Sequence, residues 1–205
     1  MAKEGYPYIF IPLVLAIIPI ALGYWYVSIP LLFVSAFMAY FFRDPERIPP
    51  NEANIVVSPA DGKVTRIHSV SPGTEGSPTL VSIFLSPLDV HINRAPISGT
   101  ISNVTYANGK FLMATKEEAS LVNEQNALTI HNNEISLVCK QIAGVLARRI
   151  VCWKKAGDEL AIGERFGLIK FSSRTDVILP PSVTVVVHEG DRVRGGTTII
   201  GRIAG

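Results

Sequence analysis

The segment "RFGLIKFSSRTDVILP", Arg165 to Pro180, decides the fold. Its two flanks read as β-strand. Two adjacent serines, Ser172 and Ser173, stand where an apolar strand would otherwise continue. Working outward, the same texture recurs from Ile55 to the C-terminus. "NIVVSP", "GKVTRIHSV", "TLVSIFL", "GTISNVTYA", "ALTIHN", "ISLVCKQI", "RRIVCWKK", "FGLIKF", "TDVILP" and "VTVVVHE" are β-branched or alternating runs bounded by Gly, Pro, Asn and Asp. The one helix expected in this region lies around Ala114 to Asn123. A mainly β domain follows.

The β region contains an internal echo. "AGDELAIGERFGLI" resembles "EGDRVRGGTTIIGRI". Gly157-Asp158 and Gly190-Asp191 lie 33 residues apart, as do Gly163 and Gly196. A Gly-Asp turn, an apolar alternation and a second glycine make a repeated hairpin unit. The pattern resembles the flattened barrel-sandwich of biotinyl and lipoyl domains.

The N-terminal region differs. Residues 8–42 contain no Asp, Glu, Lys or Arg. The run is too long for one membrane crossing, which takes about 20 residues. Gly23 and Pro30 would break or kink a helix near its middle, beside the interfacial aromatics Tyr24, Trp25 and Tyr26. A hydrophobic helical hairpin is the expectation. Residues 1–50 are expected to form the anchor and a charged, proline-rich connector, and residues 51–205 a β-rich domain. A cleavable signal peptide is not expected, because the apolar run is long and no small-residue cleavage site follows it. Lys3, Arg43 and Arg47 flank the run, so the positive-inside rule places the folded domain on the cytoplasmic side of the cell membrane.

Composition excludes several classes. A net charge of +2 makes no case for nucleic acid. Cys139 and Cys152 lack metal-ligand spacing and are expected as buried thiols. The four histidines, His68, His91, His131 and His188, are dispersed, so no metal site is expected. That argues against a metallopeptidase. A carrier domain would need a lysine in an exposed turn of the right kind, and Lys63, Lys110 and Lys170 have no such setting.

Three stretches carry candidate chemistry. "SPADGKV" puts Asp61 in a turn after a strand. "LSPLDVHINRAP" gathers Asp89, His91, Asn93 and Arg94, which need partners if they are buried. "FSSRTDV" holds the serine pair. With "FFRDPERIPP", "VNEQNAL", "QIAGVLARRIVCW", "GERFGLIKFSSRTDVILP" and "EGDRVRGGTTIIG", these motifs resemble the phosphatidylserine decarboxylase family across the whole chain. The similarity is greatest to its short branch, which includes archaeal enzymes thought to act on archaetidylserine.

The resemblance implies a proenzyme that cuts its own backbone and needs no pyridoxal phosphate. The family's motif Phe-Gly-Ser-Arg-x-Asp falls on Phe171, Ser172, Ser173, Arg174 and Asp176. Ser173 is then the nucleophile and the source of a pyruvoyl group. Cleavage between 172 and 173 would leave a β chain of residues 1–172 and an α chain of residues 173–205. Asp61 matches the family's catalytic aspartate and His91 its first motif histidine. Arg94 stands where the longer branch has a second histidine, so either His91 serves both steps or Asp61 acts more directly. The usual glycine before the cut serine is Ser172 here, a residue with less backbone freedom. "GGTT", Gly195 to Thr198, resembles the longer branch's cleavage motif but lies in the repeated hairpin and is rejected. The implied activity is decarboxylation of a membrane serine phospholipid, phosphatidylserine or archaetidylserine, to the ethanolamine lipid. A homodimer is the family's expectation for assembly.

Overall fold

Gly23, at φ +83°, ends the first of two apolar helices. The computed structural model describes residues 1–74, 76–113, 118–144, 149–171 and 173–204. It divides into two units, Met1–Glu46 and Arg47–Gly205. The division falls four residues before the expected connector ends. Arg47 belongs to the second unit because its guanidinium bonds Asp61 and the carbonyl of Gly195.

In the first unit, α1 (Tyr6–Ala21) and α2 (Trp25–Phe41) pack as a pair. The hairpin expectation holds. The break lies at Gly23, whereas Pro30 sits inside α2. Ser28 Oγ donates to Ala16 O at 2.7 Å and Ser35 Oγ to Ile9 O at 2.8 Å, both buried. Polar side chains commonly clip apolar helices together in this way. Lys3–Ala21 is apolar and long enough to cross a membrane, and α2 is a shorter apolar helix. Tyr24, Trp25 and Tyr26 are exposed at the turn.

The second unit is mainly β. Its strands are β1 (Ile55–Val57), β2 (Gly62–Ser69), β3 (Thr79–Leu85), β4 (Ile92–Arg94) and β5 (Gly99–Ala107). A one-turn helix α3 (Ala119–Val122) precedes β6 (Gln125–His131) and β7 (Ser136–Ala143). There follow β8 (Ile150–Cys152), β9 (Glu159–Leu160), β10 (Arg165–Ile169), β11 (Ser173–Leu179), β12 (Val183–Val185), β13 (Arg192–Val193) and β14 (Ile199–Ile203). The expected helix at 114–123 is realised only as α3, and its first four positions lie outside the described residues. One curled sheet runs β13-β2-β3-β11-β7-β6-β5-β9, and two three-stranded sheets run β4-β10-β8 and β1-β14-β12. They enclose an apolar core built from alternate residues, among them Val81, Ile83 and Leu85 of β3, Leu128 and Ile130 of β6, and Val177 and Leu179 of β11. This is the expected barrel-sandwich.

The internal echo is a structural duplication. Gly157 N donates to Ile101 O, and Ile101 N to Asp158 O. In the second copy Gly190 N donates to Val64 O, and Val64 N to Asp191 O. Asp158 and Asp191 each accept from the backbone N–H three residues before them. Gly163 and Gly196, at φ +75° and +77°, lie against each other where the two hairpins meet.

Candidate functional site

The opening segment does not form one strand. It forms two, in different sheets, and the chain reverses between them. Ile169 packs on Ala143, which pairs with Ser173. Two residues earlier, Gly167 lies against the Gln141 side chain, and Gln141 pairs with Thr175. β10 therefore runs back over the sheet that contains β11. Phe171, in the reversal, takes φ +61°, a left-handed conformation that a bulky side chain avoids. Ser172, half of the expected cleavage site, lies outside the described residues.

β4 completes the arrangement. Asn93 pairs with Gly167 and Ile92 with Leu168, and Ile169 N donates to His91 O at 3.3 Å. Two rungs result. Asn93, Gly167, Gln141 and Thr175 lie on one, and His91, Ile169, Ala143 and Ser173 on the next. On the first rung Asn93 Nδ2 donates to Thr175 Oγ1 at 3.0 Å. Side chains alternate along strands, so residues two positions away share that face. Ser173 lies two positions from Thr175 on β11, and His91 two positions from Asn93, just before β4 begins, so both stand one step along the chain from the Asn93–Thr175 contact.

Ser173 is fully buried, and its Oγ meets no hydrogen-bond partner among the described residues. An unsatisfied buried hydroxyl costs about 1–3 kcal/mol. Such a cost marks a position kept for something other than stability. His91 is 2% exposed. Its Nδ1 lies 2.9 Å from the carbonyl oxygen of Asp89. A carbonyl only accepts, so Nδ1 carries the proton. In the neutral ring Nε2 then holds the lone pair, which is the tautomer of a general base. The Asp89 carboxylate fixes that loop by accepting from Ser86 N at 2.8 Å and from Arg192 Nη1 at 3.0 Å.

Asp61 is placed differently. It immediately precedes β2, whose register carries across β3 to β11, so it sits at the same end of the large sheet as Ser173. Its carboxylate accepts from Arg47 Nη2 at 2.7 Å and Gly195 N at 2.8 Å. It makes no hydrogen bond to His91 or Ser173. Arg94, three positions after His91, donates through Nη1 to Gly163 O at 3.0 Å, beside the meeting of the two hairpins. The opposite face of β11 carries Arg174 and Asp176. Arg174 Nε and Nη2 bond both carboxylate oxygens of Asp176 at 2.6 and 2.8 Å, and Nη2 also donates to Ser82 Oγ. Arg66, His68 and Lys140 line the cleft above that pair.

Gln141, Asn126 and Thr175 are site residues that the sequence did not single out. Each is one polar residue inside a strand pattern, with no local signal beyond its position. Among the described residues no cluster of His, Cys, Asp and Glu forms a metal site.

A family model described as phosphatidylserine decarboxylase matches residues 34–201. A phosphatidylserine decarboxylase proenzyme of Solibacter usitatus is 50% identical over 175 residues, covering 85% of this chain and 83% of that protein. One of Chlorobium chlorochromatii is 47% identical over 186 residues, 90% and 87% of the two chains. One of Symbiobacterium thermophilum is 43% identical over 206 residues, 99% and 95% of the two chains.

Proposed function

The chain belongs to the phosphatidylserine decarboxylase family of carboxy-lyases, and on that premise we propose that it is a self-cleaving proenzyme whose scissile bond joins Ser172 to Ser173. The observation that carries this reading is the buried Ser173 Oγ, which meets no hydrogen-bond partner among the described residues. His91 Nε2 takes the Ser173 hydroxyl proton, and Oγ attacks the Ser172 carbonyl carbon. The C–N bond breaks, the Ser173 nitrogen takes a proton, and an ester replaces the amide. Loss of the Ser173 α proton expels the Ser172 carboxylate and leaves dehydroalanine at 173. Water then replaces the nitrogen, which leaves as ammonia, and the new N-terminus is a pyruvoyl group. The seclusion of Ser173 from solvent favours this order, because competing water is kept from the ester.

The fit to that group rests on Ser173 itself, a buried hydroxyl with no hydrogen-bond partner among the described residues. Once formed, the pyruvoyl group supplies an electron sink for loss of the substrate's carboxylate. His91 is then the residue placed to return a proton to the substrate's α carbon. Arg94 Nη1 donates to Gly163 O, and His91 is read as serving both steps. Asp61 is read as a charge that fixes the turn through Arg47 and Gly195; a direct role for it would require release of Arg47. The substrate is read as phosphatidylserine in the membrane that holds the apolar helices, with the β unit on the cytoplasmic side.

Intact mass spectrometry of the purified chain tests the reading. The expected result is a 33-residue C-terminal fragment, 173–205, that begins with a pyruvoyl cap. A chain that stays whole, even as Ser172→Gly, would refute it. CO2 release from serine lipids with ester- or ether-linked tails assigns the substrate.

A further inference from the structure

A chain of side-chain amides runs beneath the proposed site. Asn126 Nδ2 donates to Gln141 Oε1 at 3.0 Å, Gln141 Nε2 to Asn93 Oδ1 at 2.9 Å, and Asn93 Nδ2 to Thr175 Oγ1 at 3.0 Å. Gln141, Asn93 and Thr175 are fully buried, and Asn126 is 3% exposed. The direction of the chain is fixed. Gln141 Nε2 also faces the carbonyl of Val151, which can only accept. That sets the Gln141 amide, and Gln141 sets Asn93. Thr175 must therefore accept, and its own proton is left free to donate elsewhere.

The network ties four strands that belong to two sheets: β6, β7 and β11 of the large sheet, and β4 of the small one. Asn93 is the only member on β4, and it lies two residues from His91. Thr175 lies two residues from Ser173. No backbone ladder joins β4 to β11. A directional polar contact in a dry interior specifies a separation that apolar packing leaves looser.

We propose that Asn93, Gln141 and Thr175 are positioning residues, which set β4 against β11 and so hold His91 opposite Ser173. The proposal rests on the reading of those two residues given above. Misplacement of a reacting group by about 1 Å costs on the order of 100-fold in rate. Thr175→Val keeps the shape of the side chain and removes the acceptor. Thr175→Ser keeps the hydroxyl.

The test uses the full-length protein in membranes. Chain cleavage is timed by mass spectrometry from pH 5 to 9, with the thermal midpoint measured alongside. Thr175→Val should cleave about 10- to 100-fold more slowly, with a displaced pH inflection, and Thr175→Ser should cleave near the wild-type rate. If Thr175→Val does not fold, Gln141→Met breaks the chain at its centre with little change of volume and carries the same expectation. A folded Thr175→Val or Gln141→Met that cleaves at the wild-type rate with an unchanged pH profile overturns the proposal. The 15N shifts of the His91 ring, recorded in an uncut Ser173→Ala background, separate it from the function it rests on. A wild-type chain that never cleaves counts against the function. Ring shifts that Thr175→Val leaves unmoved count against the positioning role.

Discussion

The imidazole of His91 hangs from the backbone of Asp89, Nδ1 to carbonyl oxygen, at 2.9 Å. That backbone carbonyl sets the tautomer. His91→Gln should therefore slow cleavage by about 100- to 10,000-fold, the usual worth of a general base. Asp89→Asn should slow it little, because the carbonyl remains and the ion pair it loses involves an Arg192 that is 71% exposed. Cleavage followed by intact mass compares the two. Equal losses would show that the Asp89 carboxylate acts directly.

The Arg174–Asp176 pair is buried, with side-chain exposures of 3% and 0%. Removal of one partner of a buried pair costs about 3–5 kcal/mol. Asp176→Asn should lower stability by that order in denaturant unfolding of the uncut Ser173→Ala chain. A change under 1 kcal/mol would show that Arg174 finds another partner.

Phe171 holds a left-handed backbone two residues before Ser173. Left-handed geometry costs an L-residue roughly 1–2 kcal/mol. Phe171→Gly should relieve that cost and leave the reversal intact, whereas Phe171→Val should destabilise the uncut chain and slow cleavage. Thermal midpoints and cleavage rates should rank the three in the order Gly, Phe, Val for stability, with Val slowest to cleave.

Burial pushes the thiol of Cys139 well above its ordinary range, and nearby Asp176 adds to the effect. Cys152 is raised by burial too, against hydrogen bonds that lower it. Only thiolates alkylate readily. At pH 8 iodoacetamide should leave Cys139 unmodified in the folded chain and modify both cysteines after denaturation, as mass increments will show.

Burial tends to raise the Glu164 carboxyl, but hydrogen bonds from Lys154 and Ala161 N outweigh it and hold the group below its ordinary value of 4.5. A lowered folded pKa gives stability that is present above the unfolded value and is lost as pH falls through the folded one. Lys154→Met should flatten the loss of stability below about pH 4.5, as read in thermal midpoints.

Much of the fold was legible because β-branched runs announce strands. All ten quoted runs contain one. β4, β9, β13 and β14 lie outside those runs: β9, β13 and β14 fall in the internal echo, and β4, three residues long and partly polar, announced no strand. The order of strands in the large sheet was not readable, since it depends on pairings distant in sequence. His91, Asn93 and Ser173 drew attention as polar residues in apolar surroundings. What no local pattern could show was the reversal at Phe171, which turns one apparent strand into two and brings Thr175 under Asn93. The duplication was visible because glycines with positive φ recur at fixed spacing, and only glycine fits those turns cheaply.

β11 lies inside the large sheet, paired with β3 over seven residues and with β7 over six. β13 and β14, also C-terminal to the proposed cut, pair with β2 and β1. Cleavage would therefore divide the covalent chain without dividing the fold. What changes is molecularity. In the uncut chain every one of these strands is tethered to the strands it pairs with. Once nicked, the 33-residue strand set could return to its place only by finding a partner molecule. Unfolding of the mature protein should thus depend more steeply on protein concentration than that of Ser173→Ala. Maturation would spend the one reaction that assembles the protein, leaving an enzyme whose lifetime is set by how slowly its centre strand escapes.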